Sequence, residues 1–102
     1  MGYHGNSYKN QEPHHLYAII DSELDDIYKY GITDDPEKSD ELPKRVQEQL
    51  DMFNRIAGFP RFYAVLLQSD IPGRRKAREI ETQHIREYRK KYGHRPVGNL
   101  TD

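Results

Sequence analysis

Residues 15–20 read His-Leu-Tyr-Ala-Ile-Ile, and residues 27–33 read Ile-Tyr-Lys-Tyr-Gly-Ile-Thr. Both segments are short, apolar and rich in aromatic and β-branched residues, which is typical of β-strands. The six residues between them, Asp-Ser-Glu-Leu-Asp-Asp, are turn-forming. The two segments therefore predict a β-hairpin with a long loop at the start of the fold.

The remainder of the chain alternates between helix and strand. Apolar residues at steps of three and four predict an α-helix over residues 42–57, which Gly58 ends. The apolar run at residues 62–67 has the profile of a central strand that is covered on both faces. A second helix is predicted over residues 74–92 and ends at Gly93. The predicted order is strand, strand, helix, strand, helix, which makes the fold α+β.

The length of 102 residues predicts one domain. Residues 1–13 are polar and show no hydrophobic period, so we expect a flexible leader or linker there and a folded domain over residues 14–102. Residues 33–41 are acidic and loop-like. The chain contains no Cys, which excludes disulfides, thiolate zinc sites and thiol nucleophiles. No apolar run is long enough to span a membrane, so we expect no membrane partner.

The formal net charge of −1 conceals an uneven distribution. Residues 1–60 contain six basic and twelve acidic residues, whereas residues 61–102 contain ten basic and five acidic residues. Such an asymmetry indicates either a polyanionic partner or a fold whose two halves attract each other.

One residue of the second predicted helix breaks its apolar pattern. Glu81 falls near the middle of the face that carries Ala77, Ile80 and Ile85. A buried carboxylate costs several kcal/mol unless it is paired or bound to a cation. Two interpretations stay open: a buried pair of this glutamate with an arginine or a tyrosine, without chemistry, or a ligand for a hard divalent cation.

The second predicted strand has a glycine where a side chain is expected. If Tyr28 and Tyr30 face the core, Lys29 and Gly31 face the other way. A glycine at that position allows another group or a ligand to approach the backbone closely.

Five segments, in order, resemble the motifs of the GIY-YIG endonucleases. They are Leu16-Tyr17-Ala18, Lys29-Tyr30-Gly31, Lys44-Arg45-Val46, Ala77 with Glu81 four residues later, and Pro96-Val97-Gly98-Asn99. The resemblance covers about residues 14–99. It is closest to the URI-type nuclease domains of bacterial polymorphic toxins, and the chain is also similar to the amino-terminal incision domain of the bacterial excision-repair nuclease. The resemblance implies a small antiparallel three-stranded sheet flanked by helices, in a GIY-YIG-like nuclease domain over residues 14–102.

The resemblance also implies roles for five catalytic residues. Tyr17 contacts or deprotonates the attacking water, Arg45 neutralises the scissile phosphate, and Glu81 is the metal-binding carboxylate. Asn99 helps to hold the site or the substrate. Lys29 stands where the second motif usually has tyrosine, and it lowers the pKa of Tyr17 or holds a phosphate oxygen.

The implied activity is that of a metal-dependent endonuclease. One carboxylate is sufficient for Mg²⁺, or for Mn²⁺ in its place, because Mg²⁺ keeps several waters. The basic residues expected to contact backbone phosphates are Lys44, Arg74, Arg75 and Arg78. We expect cleavage of DNA with weak sequence selectivity. The alternatives are an RNA-cleaving toxin and a non-catalytic nucleic-acid-binding module of the same fold.

The similarity to toxin domains implies a biological setting as well. We expect the domain to be secreted as part of a larger effector and to act in the cytoplasm of a target bacterial cell; the alternative is a cytoplasmic protein. The expected protein partner is a cognate immunity protein that covers the basic site.

Overall fold

The computed structural model describes residues 11–36 and 42–102, which form one sheet and two helices. In chain order the elements are β1 (Pro13–Asp21), β2 (Asp26–Thr33), α1 (Lys44–Ala57), β3 (Phe62–Pro72) and α2 (Arg74–Tyr92). The strands pair antiparallel in the order β2-β1-β3. The predicted α+β fold and its order of elements are therefore confirmed. Residues 1–10 of the predicted leader and residues 37–41 of the predicted acidic loop lie outside the described residues.

The central strand of the sheet is β1. Its residues 14–19 are all buried. Tyr17 and Ile19 pack on the face that α1 covers, whereas Leu16 and Ala18 pack on the face that α2 covers. The two helices therefore lie on opposite faces of the sheet, and the core has two layers that meet at β1.

The prediction that residues 62–67 form the central strand is wrong. They belong to β3, which is an edge strand, and the exposed fractions of Tyr63, Val65 and Leu67 are 46%, 37% and 44%. A short apolar run is equally compatible with a strand covered on both faces and with an edge strand that leaves alternate side chains exposed. Strand position depends on pairing between distant segments, which the run itself does not encode.

The prediction that Tyr28 and Tyr30 share a face is wrong for Tyr28. Tyr30 packs against α2, but Tyr28 packs on the α1 side of the sheet. The cause is a β-bulge: Ile19 lies opposite Lys29, and the next residue of β1 lies opposite Ile27, so Tyr28 has no residue opposite it. An extra residue of this kind breaks the alternation of side chains between the two faces.

The helix ends agree closely with the sequence. Helix α2 has the predicted bounds, and α1 begins at Lys44, just after the buried Pro43. Gly58 and Gly93 end the two helices in the left-handed conformation, with φ of 84° and 83°, which glycine adopts without steric cost. Among residues 11–36 and 42–102, neither helix has the length and apolar character needed to cross a membrane.

Candidate active site

A cleft of about 280 Å³ lies at the outer edge of β2. Its lining includes side chains from both helices, from β1 and β2, and from the tail after α2. Among them are Tyr17, Lys29, Arg45, Glu81 and Asn99. The fold thus brings together all five residues for which a catalytic role was predicted, although they come from five different parts of the chain.

Tyr17 and Gly31 form a close cross-strand pair. They lie opposite each other in β1 and β2, and Tyr17 is 1% exposed. A Cβ atom at Gly31 would come within 2.4 Å of the Tyr17 ring carbon Cζ and of its hydroxyl oxygen. The expectation that this glycine permits a close approach is confirmed, because any side chain there would displace the tyrosine ring.

The hydroxyl of Tyr17 donates a hydrogen bond to Gln49 Oε1 at 2.9 Å. Burial raises the pKa of Tyr17 above its ordinary value, and the charge of Arg45 opposes that shift. The hydroxyl therefore stays protonated at neutral pH. Sequence reasoning missed Gln49, although Gln49 follows Arg45 by four residues and so shares its face of α1.

Glu81 is buried, with 5% of its surface exposed, and Arg78 Nη1 donates to its Oε1 at 2.5 Å. Burial raises the pKa of Glu81, whereas the charges of Arg78, Lys29 and Arg74 lower it. The buried ion pair, one of the two interpretations of this residue, is thus present. The charges of these three cations do not fully offset the rise in pKa that desolvation of the carboxylate causes.

Lys29 is half-buried beside this carboxylate. Burial lowers the pKa of Lys29, and the charge of Glu81 opposes that shift. Lys29 and Glu81 therefore favour each other's charged forms across the cleft.

Asn99 pairs with the backbone of β2. Its Nδ2 donates to the carbonyl of Tyr30 at 3.0 Å, and its Oδ1 accepts from the Tyr30 N–H at 2.9 Å. The N–H of Gly98 donates to the carbonyl of Tyr28 at 2.7 Å. The tail after α2 thus lies along the outer edge of β2, and Asn99 fixes it there.

The chain matches the family model described as URI fold toxin 2 over residues 7–93. The chain belongs to this toxin family. The family agrees with the resemblance to URI-type nuclease toxin domains, so the chain is a toxin domain of the nuclease type. Comparison with curated proteins and with solved structures gives no significant match.

Of the four predicted phosphate-binding residues of the toxin domain, two line the cleft and two lie outside it. Arg74 and Arg78 line the cleft. Lys44 and Arg75 lie outside it, and each forms an exposed ion pair with a glutamate one turn further along its own helix. Exposed pairs of this kind are weak, so both cations can exchange a glutamate for a phosphate at little cost.

Glu81 is the carboxylate of this cleft that suits a divalent cation. Within residues 11–36 and 42–102, no cluster of three or more His, Cys, Asp or Glu side chains has the arrangement of a metal site. Mg²⁺ keeps several waters and commonly takes one or two protein carboxylates, so a lone Glu81 fits it. Because Arg78 holds Oε1, a cation that uses this oxygen must displace the arginine.

Proposed function

We propose that this toxin domain is a metal-dependent endonuclease that hydrolyses phosphodiester bonds of DNA. The observation that carries the proposal is the cleft, where a buried carboxylate and a buried tyrosine face several cations. The resemblance of the five motif segments to endonucleases, including one that incises DNA, supports both the reaction and the substrate.

The cations of the cleft bind the scissile phosphate. Arg45 is exposed on α1, and Lys29 is half-buried on β2, so a strand entering the cleft meets both. A guanidinium group binds two phosphate oxygens at once, and its charge stabilises the negative charge that increases during phosphodiester hydrolysis.

Tyr17 orients the attacking water. Because its hydroxyl proton is donated to Gln49, its oxygen lone pairs can accept a hydrogen bond from water in the cleft. Burial raises the pKa of Tyr17, so the neutral hydroxyl positions the water rather than removing its proton.

Glu81 holds Mg²⁺, or Mn²⁺ in its place. When bound, the cation supplies Lewis-acid stabilisation of the phosphate and of the leaving oxygen. Arg78 lines the same cleft, so its guanidinium group would be available to the phosphate if a cation took its place on Glu81.

The biological setting follows from membership of a toxin family. We propose that the domain is delivered in a larger effector and acts in the cytoplasm of a target bacterium. A cognate immunity protein with an acidic surface covers the cleft, because Arg45 in its lining is exposed and the other cations there are only half-buried.

The test is incubation of the chain with supercoiled plasmid and with total RNA, in Mg²⁺ and in EDTA. We expect plasmid nicking in Mg²⁺ and none in EDTA. Cleavage of RNA without plasmid nicking contradicts the DNA substrate. Cleavage of neither, with binding retained, identifies a non-catalytic binding module and contradicts the nuclease.

The matched variants are Glu81→Gln and Glu87→Gln, which make the same change on the same helix. We expect Glu81→Gln to lose nicking by at least about 100-fold, since it removes the charge that holds the cation. Glu87 is exposed and does not line the cleft, so Glu87→Gln should nick plasmid like the unaltered chain. Undiminished nicking by Glu81→Gln would show that the metal assignment is wrong.

A further inference from the structure

The side chain of Asp102 lies among three arginines. Arg89 contacts both carboxylate oxygens, with Nη2 at 2.7 Å from Oδ2 and Nη1 at 3.1 Å from Oδ1. Arg95 Nη1 lies 3.4 Å from Oδ1, and Arg86 Nε lies 3.8 Å from Oδ2. The Asp102 side chain is 19% exposed, so it is largely enclosed by this cluster.

The three-arginine cluster has the chemistry of a phosphate site. A guanidinium group that contacts two carboxylate oxygens side by side presents the same donors to two phosphate oxygens. Asp102 supplies one negative charge to three positive ones. The side chains of Arg86, Arg89 and Arg95 remain 68%, 46% and 39% exposed, so a larger anion can reach them.

The cluster lies next to the active cleft. Asn99 lines both the cleft and a neighbouring surface pocket that Arg89 and Arg95 also line. Asn99 and Asp102 are three residues apart, so their Cα atoms are separated by at most about 11 Å. At a rise of about 3.4 Å per nucleotide, a strand that leaves the cleft covers this distance in about three nucleotides.

We propose that Arg86, Arg89 and Arg95 form a second backbone-phosphate site for the nucleic acid bound in the cleft, and that Asp102 occupies it until the strand displaces the carboxylate. The inference rests on the proposed function, because it requires a nucleic acid in the cleft. Asp102 is then an internal competitor that lowers the affinity of the free protein for its substrate.

The experiment measures binding of a fluorescein-labelled DNA duplex by anisotropy, in EDTA and over a series of salt concentrations. Asp102→Asn should bind about three- to tenfold more tightly, because the competitor has lost its charge. Its plot of log affinity against log salt should be steeper by up to about one unit, because in the unaltered chain the displaced carboxylate takes up a cation and offsets one counterion that the DNA releases. Arg89→Gln and Arg95→Gln should shift both quantities the opposite way.

The matched control is Asp51→Asn, which makes the same substitution at an exposed position of α1. An equal gain in DNA affinity for Asp102→Asn and Asp51→Asn would show that the effect comes from net charge alone, and it would overturn the proposal. Weaker binding by Asp102→Asn would also overturn it, since that is the result expected if Asp102 only anchors the tail that carries Asn99. Thermal melting of each variant identifies any loss of folding, and the two arginine variants test the site without altering Asp102.

The outcome also separates the two proposals. If the unaltered chain binds and nicks DNA while all three cluster variants behave like Asp51→Asn, the second phosphate site fails and the proposed function stands. If the unaltered chain binds no nucleic acid under any condition, both fail.

Discussion

Two buried carboxylates in this fold have pKa values that move in opposite directions. Asp21 and Glu81 are 3% and 5% exposed, and each is bound by an arginine. The Arg61 fork contacts both oxygens of Asp21 at 2.9 and 2.7 Å, and the backbone N–H of Glu23 adds a third donor at 3.0 Å. These donors lower the pKa of Asp21. Glu81 has one short arginine contact, and burial raises its pKa.

Near each of the two carboxylates, an asparagine side chain pairs with the backbone of an edge strand. Next to Asp21, the side chain of Asn54 pairs with both backbone groups of Phe62 on the edge strand β3. In the cleft, Asn99 does the same for Tyr30 on the edge strand β2. The same two kinds of contact, an arginine on a carboxylate and an asparagine on an edge strand, therefore have different consequences in the two places. Around Asp21 the hydrogen bonds stabilise the fold, whereas Glu81 in the cleft keeps the capacity to bind a ligand.

The largest expected difference between the surroundings of Asp21 and those of Glu81 is in the free energy of unfolding. Asp21→Asn should lower the free energy of unfolding by about 2 kcal/mol, because the amide cannot accept the whole Arg61 fork. That loss corresponds to a fall of about 10 °C in Tm for a chain of this size. Glu81→Gln should leave Tm unchanged or raised, because the neutral amide is less costly to bury. Denaturant and thermal unfolding measure both, and an equal loss in the two variants would remove the distinction.

A smaller difference is expected between the two asparagines. Asn54→Ala and Asn99→Ala should each lose about 1 kcal/mol of unfolding free energy, because each exposes two backbone groups of an edge residue. Only Asn99→Ala should also reduce plasmid nicking, by about tenfold, since it releases the edge of the strand that carries Lys29. Equal nicking by the two variants would show that the β2 edge does not position the cleft.

The smallest effect is in the pH dependence of Tm, and its sign differs between the two carboxylates. The pKa of Asp21 lies below its ordinary 3.8, so its contribution to stability is present above that pH and is lost as pH falls through the folded-state pKa. The pKa of Glu81 lies above its ordinary 4.5, so the cost of ionising it is absent below that pH and develops as pH rises through the folded-state pKa.

Thermal melts of the variants from neutral to acidic pH check these signs. On acidification, the Tm gap between Glu81→Gln and the unaltered chain should close by about pH 4.5. The gap for Asp21→Asn should persist to about pH 4 and close below it. Closure in the reverse order would contradict the assignment of the two shifts.

Much of the fold and the site could be predicted because the signals are local. The period of apolar residues placed α2 and put Glu81 in its buried face, and Gly58 and Gly93 marked the helix ends. The edge position of β3 and the turned side chain of Tyr28 could not be predicted. Both depend on strand pairing: β3 pairs with a strand far away in the sequence, and a single bulge between β1 and β2 changes the face that the Tyr28 side chain takes.

The amino-acid sequence by itself determined the order of elements and the α+β class, because helical and strand periods and turn residues act over a few neighbouring positions. The segments predicted to carry the site came from their resemblance to nuclease motifs. Only the tertiary structure decided which groups meet. Three sets of contacts join different parts of the fold: the hydrogen bond from Tyr17 to Gln49, the hydrogen bonds between Asn99 and Tyr30, and the ion pairs of three arginines with Asp102. Such contacts form when the core packs, and their geometry depends on the whole sheet and both helices rather than on any one segment.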